Sequence, residues 1–320
     1  MLLRAIINRM IKKTAFVFPG QGSQSVGMLE NIALQHPIIQ ETFKEASEVL
    51  DYDLWALSAQ GPVEKLNQTE YTQPALLTAG VAMWRLIRAL RGQTPIAFLA
   101  GHSLGEYTAL VCSEALSFED AVRLVALRGR LMQEAVKGGE GAMAAILGLD
   151  NDAVRTICEE TTTTTEIVAP ANYNTIGQVV ISGHKTTVLH AIERAKTAGA
   201  KRALLLPVSV AAHCVLMKPA AVHLQATLAE IPFKLPRIPV IHNVDVAVHE
   251  SVDEIRQILV EQLYKPVRWV ETIQLMALKG VETIYECGPG AVLSGLNKRI
   301  DTTLVTESLS LSLSKSKGES

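Results

Sequence analysis

Apolar and polar positions along this chain fall into blocks whose period changes several times, and those changes divide it into elements. Residues 14–18, TAFVF, form a short continuous apolar run of strand type that stops at PGQGSQ, where proline and two glycines end any strand. Helical spacing appears over 37–50 and over 74–90, the second with proline in its first turn. A short apolar strand at 96–100 leads into GHSLGEY and a further helix. Over 118–136, Ala121, Leu124, Val125, Leu131, Met132 and Ala135 form one apolar stripe at helical spacing, with Arg128 in its middle.

The period changes again after the glycine-rich KGGEG. Strand 142–149, helix 152–159, strands 167–171 and 178–182, helix 185–198 and strand 202–208 give the order βαββαβ, which predicts a small ferredoxin-like unit inserted in a larger domain. A helix over 214–229, a strand at 239–243, helices over 252–263 and 267–278, a strand at 282–286 and a last helix ending near 300 then alternate. That is the pattern of a mostly parallel sheet covered on both faces. The expectation is an α/β core built from 14–138 and 209–307 with a subdomain at 139–208. Residues 1–13 read as a short basic extension and 308–320, rich in serine, as an unstructured tail.

Composition narrows the class. Apolar residues are 48% of the 320 and charged residues 19%, enough to bury a sizeable core without disulfides or metals. A net charge of −2 lacks the basic excess of a nucleic-acid binder, so no nucleic-acid partner is expected. No run approaches the roughly 18 apolar residues of a membrane span, so no membrane partner is expected either. The four cysteines, Cys112, Cys158, Cys214 and Cys287, form no CxxC pair and read as reduced thiols in a cytoplasmic protein.

The chemistry concentrates in GHSLG, a G-x-S-x-G pattern between an apolar strand and a helix. A serine on such an elbow projects above the sheet. Gly101 and Gly105 let strand and helix approach, and the N–H of Leu104 points where a developing oxyanion can be stabilised. A serine needs a base, and eight histidines are on offer. His102 is adjacent but points away on an elbow. His213 directly follows LLLPVSV at a strand-to-helix mouth, and His242 at a strand end is its rival. No acid stands out as a third member, which suits an anionic substrate. Arg128 admits two readings, a structural salt bridge or a clamp on a substrate carboxylate, since a guanidinium in an apolar stripe is costly without an anion.

Several blocks, in order, resemble the malonyl-CoA:acyl carrier protein transacylases of fatty acid synthesis: FPGQGSQ, GHSLGEY, AVRLVALRGRLMQEAV, ANYN followed by GQVVISG, SVAAHC, NVDV, QLYKPVRW and ECGPGAVLSGLNK. The resemblance runs from about 14 to 300. It implies a hydrolase-like, mostly parallel-sheet core with the ferredoxin-like subdomain inserted between serine and histidine. It also implies roles: Ser103 as the acylated nucleophile, His213 as its base and later acid, and Gln262 as the residue orienting that histidine through main chain or side chain. Gln21 and Leu104 supply oxyanion-hole N–H groups, and Arg128 pairs with the malonyl carboxylate. Malonyl-CoA and acyl carrier protein are the implied partners of a monomeric enzyme that needs no metal and no cofactor beyond its coenzyme A thioester substrate. One departure bears on acyl selection: members often carry proline and serine before the histidine, and this chain has Ala211 and Ala212. A serine esterase or thioesterase using the same elbow, malonyl loading for a polyketide-type pathway, and an idle scaffolding homologue are the rival readings.

Overall fold

The computed structural model describes residues 13–91, 95–136, 139–208 and 210–314. Almost all of the expected N-terminal extension, and residue 209 at the expected domain boundary, lie outside the described residues.

Strand β1, Thr14–Phe18, is buried at all five positions, because a central parallel strand is covered on both faces. It lies between β2 (Phe98–Gly101) and β8 (Thr283–Glu286), both parallel to it. The two-residue β7 (Val240–Ile241) adds to β2, and β9 (Val305–Ser308) to β8, giving the order β7-β2-β1-β8-β9. This register positions the elbow. Phe18 pairs with Gly101, so the loop after β1 opens beside the turn after β2 at the carboxyl end of the sheet.

The second sheet is antiparallel: β3 (Gly141–Leu147), β4 (Val168–Thr175), β5 (Gln178–His184) and β6 (Arg202–Leu205), in the order β4-β5-β3-β6. Its period-2 alternation sorts side chains between two cores. Ala142, Ala144 and Ile146 of β3 pack with Val154, Val188 and Ile192 of the helices Asn151–Thr161 and Lys185–Thr197. Met143 and Val180 face the opposite way and join the main core. This is the βαββαβ unit read from the sequence, and one sheet face lies toward the larger domain.

Some elements depart from expectation. The helix expected over 74–90 runs Thr69–Arg91, with Pro74 inside it. The Glu70 N–H at its start is satisfied by Gln133 Oε1 at 3.0 Å, and the burial of Gln73, Ala75, Leu76 and Leu77 outweighs the main-chain bond that Pro74 cannot donate. The helix expected over 214–229 begins as a 3₁₀ turn, Val215–Met217, and becomes α-helical only at Lys218–Glu230, where Pro219 suits a first turn. The unstructured tail expected from 308 is corrected. Ser308 ends β9, and Leu309–Ser314 is a helix whose Leu309 and Leu313, one turn apart, are buried in the main core. Ser312 and Ser314 return their hydroxyls to the carbonyls of Ser308 and Ser310, which is how a serine-rich segment satisfies a short helix. Residues 315–320 lie outside the described residues.

Candidate active site

The turn after β2 places Ser103 at φ 51° and ψ −108°, immediately before the helix Leu104–Cys112. A non-glycine residue there is strained, and the surroundings hold it. The His102 N–H donates to Phe18 O at 3.0 Å and the Ser103 N–H to Asn243 Oδ1 at 2.8 Å, while Asn243 Nδ2 donates to Gly101 O at 2.7 Å. A Cβ on Gly101 would collide with the main chain of Gly105, and one on Gly105 with Phe18 O, so the elbow closes only with glycine at both positions. Serine before a helix usually caps it. Ser103 makes no cap bond, which leaves its hydroxyl free for other partners.

Those partners are His213 and Arg128. Ser103 Oγ lies 2.8 Å from His213 Nε2 although 110 residues separate them. On the other side of the ring, Nδ1 donates to the main-chain O of Gln262 at 2.7 Å. A carbonyl only accepts, so Nδ1 carries the proton and Nε2 offers its lone pair to the serine hydroxyl. His213 is 3% exposed, and its main-chain N–H is fixed on Leu263 O at 2.9 Å. Burial, and next the positive charge of Arg128, lower the His213 pKa to about 3. The imidazole is therefore neutral at pH 7, as a base must be.

Arg128 is 1% exposed. Nη1 donates to Gln73 Oε1 at 2.9 Å, and Nη2 donates to Gln262 Oε1 at 2.9 Å and to Ser103 Oγ at 3.2 Å, while Nε has no partner. Every partner is uncharged, and among the described residues Arg128 forms no salt bridge, so its structural reading loses its basis. Burial lowers its pKa, opposed by the nearby Tyr107 and Glu106. A desolvated guanidinium bonded only to amides and a hydroxyl is a site short of an anion.

These groups open onto a cavity of about 180 Å³. Gln21 and Leu104 line it beside Ser103, and neither main-chain N–H donates to a protein acceptor among the described residues. Gln21 itself is steadied by its side chain, whose Nε2 donates to Thr69 Oγ1 at 3.2 Å. The antiparallel sheet and the segment between it and the histidine supply apolar lining, Met143, Val180, Leu206, Val208 and Ala212, beside the polar Asn172 and Asn174. All six residues singled out in the sequence thus meet in one place. Among the described residues, no group of three or more His, Cys, Asp or Glu is arranged to hold a metal ion.

Of the other histidines, His102 lines the cavity but turns its Nε2 to Asn174 Oδ1 at 2.8 Å, away from the serine, and burial lowers its pKa. His242 is fully buried and donates from Nδ1 to Glu106 Oε1 at 2.8 Å, so it is no base for Ser103. Four residues escaped the sequence reading: Gln73 and Glu106, near the starts of their helices, Asn243, which clamps the elbow, and Asn174, which ties His102 to the antiparallel sheet. Glu106 Oε2 accepts from the Asn243 N–H at 2.9 Å and from Gln262 Nε2 at 3.0 Å.

An open parallel sheet with a strained serine at its carboxyl edge, a buried neutral histidine and two N–H groups without a protein acceptor among the described residues are the parts that an α/β enzyme working through a serine requires. Its particular kind is given by known relatives. Residues 15–303 match the acyl transferase domain family. The malonyl CoA-acyl carrier protein transacylase of Escherichia coli (strain K12) is 57% identical over 295 residues, 92% of this chain and 95% of that protein. An acyl carrier protein S-malonyltransferase from Vibrio cholerae superposes with a TM-score of 0.90 at 55% identity, covering 93% of this chain and 96% of that one. A malonyl-transacylase solved with its type II polyketide synthase acyl carrier protein gives 0.92 at 52%, covering 94% and 97%. This chain belongs to the malonyl CoA-acyl carrier protein transacylases within the acyl transferase family.

Proposed function

We propose that this chain transfers a malonyl group from malonyl-CoA to the phosphopantetheine thiol of an acyl carrier protein, through an ester on Ser103, to supply fatty acid synthesis. The observation that carries the reading is the Arg128 guanidinium, buried, bonded only to neutral groups, and 3.2 Å from the serine hydroxyl. A malonyl carboxylate is the anion it lacks, and acceptance of that carboxylate sets the thioester carbon beside Ser103 Oγ.

In the first half-reaction Ser103 Oγ attacks the thioester carbonyl as its proton passes to His213 Nε2. Negative charge gathers on the carbonyl oxygen, facing the N–H groups of Gln21 and Leu104. Collapse breaks the C–S bond, and the departing coenzyme A sulfur takes the proton back from His213. In the second half-reaction the carrier thiol gives its proton to His213 Nε2, its sulfur attacks the ester, and Ser103 Oγ leaves with that proton. The Gln262 carbonyl holds the imidazole in the productive tautomer throughout and places no charge in a pocket that takes an anion. No electrons change hands, so the cycle calls for no redox cofactor.

A cytoplasmic location fits four cysteines that are all free and buried. A serine esterase would need water to reach the ester, and nothing in that role calls for an unpaired guanidinium. Intact-protein mass after exposure to malonyl-CoA tests the assignment. A gain of one malonyl group is expected, absent in Ser103→Ala, and removed faster by holo acyl carrier protein than by buffer. Release only as free malonate would reject transfer in favour of hydrolysis.

A further inference from the structure

Behind the serine lies a buried carboxylate that takes no part in the acyl transfer steps. Glu106 is fully buried and stands one turn from Ser103 on the same helix. Three donors converge on it: His242 Nδ1 at 2.8 Å, the Asn243 N–H at 2.9 Å and Gln262 Nε2 at 3.0 Å. All three come from outside its helix, so it is not a cap for its own N–H groups. A side chain that only accepts is what position 106 requires.

That requirement decides the orientation of Gln262. With Nε2 donating to Glu106 Oε2 and to Ser103 O, the latter at 3.0 Å, Oε1 is left to accept from Arg128 Nη2 at 2.9 Å. Turning the amide over would set its oxygen against a carboxylate and its NH₂ against a guanidinium. Gln262 is fully buried, so neither mismatch is relieved by water. The side chain of Gln262 is therefore a one-way link from Glu106 to Arg128, while its main-chain carbonyl separately serves His213.

We propose that Glu106 is a positioning residue for acyl selection: through the Gln262 amide it sets where the Arg128 guanidinium stands beside Ser103. The inference rests on the reading of Arg128 as the carboxylate clamp. Loss of Glu106 disturbs the guanidinium more than the imidazole, because the imidazole hangs on a main-chain carbonyl that no side-chain flip removes. Acyl groups with a carboxylate should suffer more than those without one.

The test is single-turnover loading of Glu106→Gln and Glu106→Leu with malonyl-CoA and with acetyl-CoA, read by intact mass. Glutamine puts an NH₂ into the ring of donors, and leucine removes the acceptor altogether. The malonyl-to-acetyl ratio of loading rates is expected to fall at least tenfold in both. Combined with Arg128→Ala, neither change should lower the ratio further, since the link then ends on nothing. A merely structural role would reduce the folded fraction, or both rates alike, and leave the ratio unmoved. Folded variants with the wild-type ratio would overturn the proposal. Should neither variant fold, Gln262→Leu cuts the same link from its other end and must lower the ratio equally, or the proposal fails. A wild-type ratio in Arg128→Ala would overturn the clamp reading itself; a lowered ratio there beside an unchanged one in the Glu106 variants would overturn only the role of Glu106.

Discussion

Replacement of Arg128 by alanine separates the two halves of the site. In the wild-type pocket the guanidinium is 1% exposed and presents its Nη groups to Gln73, Gln262 and Ser103. On the proposed clamp reading, a bound malonyl carboxylate gains two charge-assisted bonds, each contributing about 1.5–3 kcal/mol. Breaking a buried pair by removing one partner costs about 3–5 kcal/mol, which agrees. At about 1.4 kcal/mol per decade, malonyl loading should fall roughly a hundred- to a few-thousand-fold in kcat/KM. Acetyl has no carboxylate and loses only the bond of Nη2 to the serine oxygen, roughly one to two decades on the same scale. Loading rates with the two acyl-CoA substrates at equal enzyme concentration are the assay, with a melting curve to show that the variant is folded. Arg128→Lys keeps the charge without the planar fork and should fall between wild type and alanine. Equal losses for malonyl and acetyl would refute the clamp, whatever their size.

The remaining expectations concern titration, the elbow and the chain end. On the role proposed for His213, a neutral base with its pKa lowered to about 3, loading should stay flat from neutral pH down toward pH 4 and fall only below that. Arg128→Ala removes the second cause of that lowering and should shift the acid limb to higher pH. The linkage has a definite sign: the unfolded histidine binds a proton below its ordinary pKa of about 6.5 and the folded one does not, so this group erodes stability as pH falls from there toward 3, measurable as a decreasing melting temperature. Asn243→Ala leaves the Ser103 N–H without its acceptor and should cost about 1–3 kcal/mol in denaturant unfolding, with slower loading of malonyl and acetyl alike. Truncation after Ser308 uncovers the core that Leu309 and Leu313 close and should cost about 3–6 kcal/mol; an unchanged denaturation midpoint would contradict their burial.

What could be read from sequence was what lies in local spacing. The elbow was legible because strand, turn and helix are contiguous, and its two glycines stand where the backbones touch. Arg128 was legible because a charge in an apolar stripe breaks a period of 3.6, although its partners were not: Gln73 and Gln262 are 55 and 134 residues away in sequence. The roles proposed for Gln262 and Gln21 rest on family resemblance alone, because a main-chain group that meets a histidine or an oxyanion leaves no mark in its side chain. The helix start at Thr69 was misplaced because propensity reads Pro74 as a beginning, whereas packing against the helix that bears Arg128 decides otherwise. The closing helix was missed for a related reason, since alternate Ser and Leu imitate low complexity until Leu309 and Leu313 find a core.

Glu106 marks where such reading stops. It lies in GHSLGEY, three residues after Ser103, and on a surface helix it would be a solvated charge of no consequence. What changes its meaning is the burial of the whole helix, eight of whose nine residues are covered, and the arrival of His242, Asn243 and Gln262 from chain segments more than 130 residues away. A carboxylate out of water is tolerable only where donors surround it, and those donors must then be fixed in turn. The same constraint that makes Glu106 costly therefore makes it informative. It forces one orientation on the Gln262 amide, and that orientation aims the acceptor at Arg128, whose guanidinium is thereby held beside Ser103 at the cavity.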